Sequence, residues 1–542
     1  MSPTRVKRAR RYLFLWPVVT SSALLTCGVW SVFGYSALAL PQLINPNASL
    51  YLSDASLHAN TSLHADTSFH ADTSFHANSS LHADTSLHAD TSFHADTILT
   101  IDMPHANTGL YLSSSQASWF ATLPLFMCIP GSVLGGILCE WAGPRRLQLF
   151  LAPVLAIFFM AAHLASWPYI QQAGAAPTIF LVFRVLQGAT AAVLIPTISV
   201  YICEVSTDSY RGCLTSLVEA WVTLGFLLCY LLGRYLYWYT AALLLPLMTI
   251  VPSCFCLLLS PESPVWLVRK GRDAEVKMTL LKLRHSPEKV ENEMTEMKVC
   301  VVKENYSFYD SLMLLKKKVN MKPMIISIFV VVIKEFSGAI VVALYVVRIF
   351  TLAGVGTDPF WSSFIVGSVR LAGNIISSFL LYHVPRKLLL VGGNLFATVG
   401  TGVIGLFFYL HSQNYDLVWL SWLPLAGLIV FMIGVSIGVM PSSWLVATEI
   451  LPEPIRSQGL GISVTCYAVT SFLVSKTFDE MIGVLGLYGL FWSYSVGCIA
   501  HGLFVAIFVP ETRGRSLKDI ERSWRLPSQN LKNDETQNDV HL

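Results

Sequence analysis

The chain has 542 residues, of which 54% are hydrophobic and 13% charged, and its mean hydropathy is +0.57. Soluble domains carry about 25% charged residues, so the composition excludes a water-soluble protein and points to an all-α membrane protein whose first partner is the lipid bilayer. The formal net charge of +3 arises from basic loops on one side of the chain and implies no nucleic-acid partner.

A membrane-spanning helix takes about 20 mostly apolar residues. Twelve stretches meet that rule, near 13–40, 113–138, 147–167, 177–203, 212–233, 238–260, 323–350, 359–382, 388–410, 418–447, 457–477 and 487–509. The first follows a basic head, TRVKRARR. Its apolar run is too long for a signal-peptide core and ends in no small-residue cleavage site, so it reads as a retained helix.

Between the first two spans lies a long loop, 41–112. Residues 56–97 are seven hexads of the type SLHADT, each with one His and one Asp or Asn, from His58 to His94. Imidazole and carboxylate are both metal ligands, which would make this a metal-gathering tract. One Leu or Phe per six residues buries too little to offset ordering, however, so an expanded, disordered repeat is the preferred reading. Three sequons, at Asn47, Asn60 and Asn78, make this loop a candidate for glycosylation.

Lys and Arg set the orientation. The head (1–12), GPRR (143–146), the 261–322 stretch, VPRK (384–387) and the 510–542 tail are basic, whereas the opposite loops carry neither residue except Arg234 at a helix end. Both termini are therefore expected in the cytoplasm of a multi-pass protein in the cell membrane. The 261–322 stretch mixes apolar and charged residues, as in AEVKMTLLKLRH, and predicts short amphipathic helices. Eleven cysteines fall in spans or on the cytoplasmic side and read as small apolar residues.

The chain repeats its punctuation. AGPRR, then Glu204 and Arg211, then PESP from Pro261 mark the first half; VPRK, then Glu449 and Arg456, then PETRGR from Pro510 mark the second. Two six-helix units (13–260 and 323–509) in parallel arrangement, with charged marks on one face, describe a transporter built of two bundles.

RVLQGATAAVLIPTISVYICEVSTDSYRG (184–212), PESPVWLVRKGR (261–272), EFSGAI (335–340), ATEILPEPIRSQGLG (447–461) and PETRGRSLKDIE (510–521) resemble the signatures of the sugar-porter branch of the major facilitator superfamily, and within it the insect-type facilitated trehalose transporters. The resemblance implies the major facilitator fold and alternating access. It also implies that Arg145, Arg184, Glu204, Arg211, Arg386, Glu449 and Arg456 gate the cytoplasmic side by salt bridges across the seam. Tyr382 stands where the family has an acid and Val265 where it has an arginine, which would weaken the second latch.

The family's cavity positions fall on Glu219 in the fifth span, Lys334 and Glu335 in the seventh, Ile340 beyond them, Arg370 in the eighth, Trp444 in the tenth and Tyr467 in the eleventh. None of the amides expected there is kept. Two acids and two bases replace them, and they can pair (Glu219 with Arg370 or Lys334) or recognise a charged solute. Charges at mid-membrane are tolerated when they face a wet cavity. In proton-linked relatives a carboxylate follows FGY on the first span; here Ser36 follows (33–36), favouring facilitated diffusion.

Facilitative transport of a trehalose- or hexose-like sugar by a monomer is the leading reading. A carrier for a charged or zwitterionic solute, and a non-transporting sensor on a carrier fold, are the alternatives. No serine elbow, phosphate-cradling loop or His/Cys cluster at metal spacing inside the folded region argues for an enzyme, a cofactor or a resident metal.

Overall fold

The computed structural model describes residues 3–43, 112–172, 174–206, 208–284, 290–295, 297–298, 318–354, 358–415, 418–452 and 455–513. The hexads, the sequons at Asn47, Asn60 and Asn78, most of 285–317, the tail beyond 513 and the side chain of Arg211 lie outside this description.

With no water to satisfy the backbone, a lipid-exposed segment must close its hydrogen bonds within itself. Among the described residues twelve helices are long and apolar enough to cross a membrane. They are α1 (Pro3–Leu43), α2 (Ser114–Ala142), α3 (Pro144–Ala161), α4 (Ala176–Val205), α5 (Asp208–Tyr235) and α6 (Trp238–Leu259) in the first bundle. The second holds α7 (Asn320–Leu352), α8 (Pro359–His383), α9 (Arg386–Ser412), α10 (Leu423–Ile450), α11 (Arg456–Lys476) and α12 (Phe478–Phe508). No strand occurs among the described residues.

Boundaries differ from hydropathy where charge and helix propensity part company. The basic head continues α1 back to Pro3 because Lys and Arg are good helix formers. Likewise α12 begins nine residues before its apolar run: Asp479 and Glu480 in its first turn suit the positive end of the helix dipole while lowering the hydropathy that would reveal it.

Lipid-like surroundings offer no hydrophobic drive between helices, so close approach depends on small residues. A Cβ on Gly131 of α2 would stand 2.3 Å from Ala192 Cβ of α4. In the second bundle Gly393 and Gly400 of α9 lie directly on the backbone of α10 at Gly434, Gly438 and Phe431. Large apolar side chains such as Trp141, Phe150, Phe379 and Ile507 point outward, as lipid contact requires.

The bundles meet along a seam where α1 faces α7, α2 faces α11 and α5 faces α8. The short linker helices, Pro264–Arg269 and Asp273–Arg284, mark one end of the seam; Trp266 Nε1 there donates to Glu140 O near the end of α2 at 3.0 Å. Polar contacts across the seam cluster at mid-depth and at the other end. Tyr230 Oη donates to Ala343 O at 2.7 Å, Lys476 Nζ to Ser118 Oγ at 3.0 Å, and Arg234 pairs with Asp358, the N-cap of α8.

Candidate substrate site between the bundles

The α-helix of α7 stops at Ile333, a 3-10 turn follows over Lys334–Ser337, and a new helix starts at Ala339. Gly338 joins them at φ 76° and ψ 13°, the left-handed region that only glycine adopts without steric cost. A Cβ there would also lie 2.5 Å from the Tyr494 ring of α12. Backbone groups freed by the break are satisfied locally: Ser337 Oγ donates to Lys334 O at 2.6 Å, and Gly338 N to Glu335 O at 3.0 Å.

The turn brings two adjacent charged side chains together. Lys334 Nζ lies 2.6 Å from Glu335 Oε1, and the two side chains are 1% and 0% exposed. Ser471 Oγ of α11 donates to the other carboxylate oxygen at 2.8 Å. The ammonium also stands 3.5 Å from Met440 Sδ, 4.5 Å from the Tyr467 ring centroid and 5.2 Å from that of Trp444. Those rings meet edge to face at 5.0 Å. A buried ion pair survives when its remaining lone pairs and protons find partners, and here both carboxylate oxygens do. The pair leaves a polar site without net charge.

Lys334, Glu335, Trp444 and Tyr467 are thus brought together. Glu219, half-buried on α5, lies within electrostatic range of Tyr467 across the seam. Pairing of Glu219 with Arg370 or Lys334 is not what forms: Lys334 goes to its own neighbour, and Glu219 and Arg370 have no ion-pair partner among the described residues. The Arg370 guanidinium instead sits 5.7 Å from the Phe226 ring centroid, in a small cavity lined also by Thr223, Tyr230, Val346 and Met432. Ile340 is buried in the core. Arg348, further along α7, pairs with Asp479 of α12 at 2.6 Å.

Sequence reasoning missed three contributors. Ser471 is four residues past Tyr467, hence on the same helix face. Met440 is likewise one turn before Trp444. Asn374, one turn beyond Arg370, donates across the seam to Glu219 O at 3.0 Å and Thr223 Oγ1 at 2.8 Å. An amide is kept on α8 after all, one turn from the position traced for it.

The contacts described for the gate candidates Arg145, Glu204, Arg386, Glu449 and Arg456 stay within their own half of the molecule. Arg145 donates to Leu257 O and Leu258 O at 3.0 and 3.1 Å, and its backbone N–H to Glu262 Oε1 at 3.0 Å. Glu204 accepts from Ser263 Oγ. Arg386 pairs with Glu449 at 3.0 Å, and its backbone N–H donates to Glu511 at 3.1 Å. Arg456 donates to Leu451 O. Burial pushes the Glu262 carboxyl above the usual range, against the lowering effect of the amides it accepts from.

Arg184 corrects the expectation. It lies in the first third of α4, far from the linker face, and is 1% exposed. Its guanidinium donates to Phe120 O at 3.0 Å, Gln187 Oε1 at 3.2 Å and Ser36 Oγ at 2.6 Å. Grouping it with the gate followed its place in a motif, whereas α4 carries Arg184 and Glu204 at different depths: twenty residues of helix separate them by about 30 Å.

Residues 67–524 match the family model for sugar (and other) transporters. The chain is 32% identical over 419 residues to a facilitated trehalose transporter of Culex quinquefasciatus, covering 77% of this chain and 78% of that protein. It is equally identical to one of Aedes aegypti, of which it spans 50%. The fold matches the inward-open structure of the xylose transporter XylE from E. coli, with a TM-score of 0.66 at 18% identity over 94% of this chain and 98% of that one. The chain therefore belongs to the sugar transporter family, as a membrane carrier of the major facilitator fold and not an enzyme.

Proposed function

We propose that this carrier moves a neutral sugar, trehalose or a hexose, down its gradient by alternating access, with the solute held where α7 breaks. The observation that carries the reading is the Lys334–Glu335 pair, buried and internally neutralised beside Trp444 and Tyr467. Such a site presents donors and acceptors for hydroxyl groups and an aromatic face for a pyranose ring, with no charge left to attract an ion. Glu219 approaches it from the other side of the seam, where Asn374 of α8 donates to its backbone oxygen.

The basic linker face is assigned to the cytoplasm, with both termini, in the cell membrane. The conformation is then inward-facing, held shut at the outer end by Arg234–Asp358 and Lys476–Ser118. Arg145, Glu204, Arg211, Arg386, Glu449 and Arg456 would exchange partners across the seam when the inner end closes. Ser36 bonded to Arg184 leaves no carboxylate at that point of α1, which supports uncoupled transport. Asn47, Asn60 and Asn78 are the proposed glycan acceptors.

Uptake into proteoliposomes tests this. Saturable entry of labelled trehalose or glucose, equal at pH 6 and pH 7.5 and without an imposed proton gradient, is the expected result. A second reading rests on Glu219 and Arg370 having no ion-pair partner among the described residues: opposite charges on the two sides of the seam suit a zwitterionic solute. Uptake of betaine or carnitine in place of every sugar tried would favour it.

A further inference from the structure

An ammonium enclosed by a carboxylate, a thioether and two aromatic rings is the chemistry by which proteins recognise organic cations. Around Lys334 all four are present: Glu335 Oε1 at 2.6 Å, Met440 Sδ at 3.5 Å, and the Tyr467 and Trp444 rings at 4.5 and 5.2 Å. Ser471 holds the carboxylate in place from α11. The cation occupying this cage belongs to the chain itself.

We infer that Lys334 is a specificity determinant that works by occupation: its ammonium fills an organic-cation site built by Glu335, Met440, Trp444 and Tyr467, and so excludes cationic solutes from a carrier of neutral ones. The inference rests on the reading that the break of α7 lines the solute path. Several features favour occupation over a purely structural ion pair. Glu335 is already held by Ser471, so the lysine is not needed to position it. The ammonium faces side chains of α10 and α11, whose rings would otherwise enclose an empty, charged recess. Shortening the side chain leaves the carboxylate at the floor of an aromatic box, with room for a small quaternary ammonium.

The test uses the full-length carrier purified in detergent and in proteoliposomes, with tetramethylammonium and choline as probes. In Lys334→Ala these cations should raise the melting temperature by about 2 °C at a concentration a hundredfold above Kd and should enter vesicles saturably. The wild type should show neither effect, and the cations should not inhibit its sugar uptake. The double variant Lys334→Ala, Glu335→Gln should lose the response. Lys334→Ser also empties the cage while keeping a polar side chain near Glu335, and serves where the alanine variant folds poorly; it should respond in the same direction.

Absence of any cation-dependent shift in both single variants would overturn the inference, as would an equal response from the wild type or from the double variant. The melting-temperature arm reads the cage alone, and the uptake arm reads the path. A shift without cation uptake keeps the cage and refutes its place on the solute path, so the two failures are told apart.

Discussion

The first helix of each bundle occupies a corresponding place in the repeat, yet α1 and α7 treat their polar groups in opposite ways. In α1 the mid-helix serine and threonine hydroxyls turn back on their own helix, Ser21 donating to Val18 O, Thr26 to Ser22 O and Ser31 to Gly28 O, and only toward its end do Tyr35 and Ser36 meet α6 and α4. The helix runs unbroken from Pro3 to Leu43. In α7 the polar residues face outward from the helix, and the helix gives way there. Lys334 and Glu335 reach Ser471, Met440, Trp444 and Tyr467 on α10 and α11. Duplication supplied the scaffold twice, but a break at mid-membrane is sustained only where neighbouring helices take up the groups it frees. The site is correspondingly lopsided, with α7, α10 and α11 providing most of it and α5 facing it across the seam.

The sharpest way to break this contrast is to remove one member of the buried pair. Glu335→Ala strands an ammonium in the interior and should cost about 3–5 kcal/mol, read as a large fall in melting temperature and loss of uptake. Ser31→Ala on α1 removes a bond within one helix and should cost about 1 kcal/mol or less. Equal losses for the two would show that α7 is no more dependent on its neighbours than α1. Gly338→Ala comes next. A left-handed backbone costs a residue with a Cβ about 1–2 kcal/mol, and the Tyr494 ring stands in the way, so transport should fall further than thermal stability; unchanged turnover would mean the break can straighten.

Smaller effects come from the ends of the seam. Arg234→Ala removes a partly exposed pair, worth about 0.2–1 kcal/mol, that holds the end opposite the linker closed. A cysteine placed at Thr122 should then react with an impermeant thiol reagent roughly 1.5- to 5-fold faster, the same energy expressed as a population; an unchanged rate would remove Arg234 from the latch.

The smallest effect concerns Glu262 at the linker face. Its folded-state pKa is raised by burial, so the native state binds the proton more tightly than the unfolded chain, and stability gains as pH falls through the carboxyl range and is lost as pH rises above it. Glu262→Gln should therefore stabilise most near neutral pH, with the difference from wild type shrinking on acidification. A difference growing toward low pH would contradict the shift.

Much of the site was legible in one dimension. Lys334 and Glu335 were traced to the seventh span, and Trp444 and Tyr467 emerged in contact, as tracing them to one cavity implied. What escaped was partnership. Glu219 was the partner expected for Arg370 or Lys334, since on a regular helix the neighbours Lys334 and Glu335 point about 100° apart; the 3-10 turn and the hold of Ser471, 136 residues away in sequence, decided otherwise. Arg184 was misplaced by its motif, and Asn374 was passed over in favour of the position one turn earlier.

The amino-acid sequence by itself determined the twelve spans, their division into two repeated units and the basic face, since hydropathy and charge are local quantities summed along the chain. Only the tertiary structure decided which charges neutralise each other, which end of the seam is shut, and which side chains enclose Lys334. Those outcomes depend on distances between helices that meet only after packing, where a carboxylate chooses among several cations by fractions of an ångström and by what else can satisfy its second oxygen.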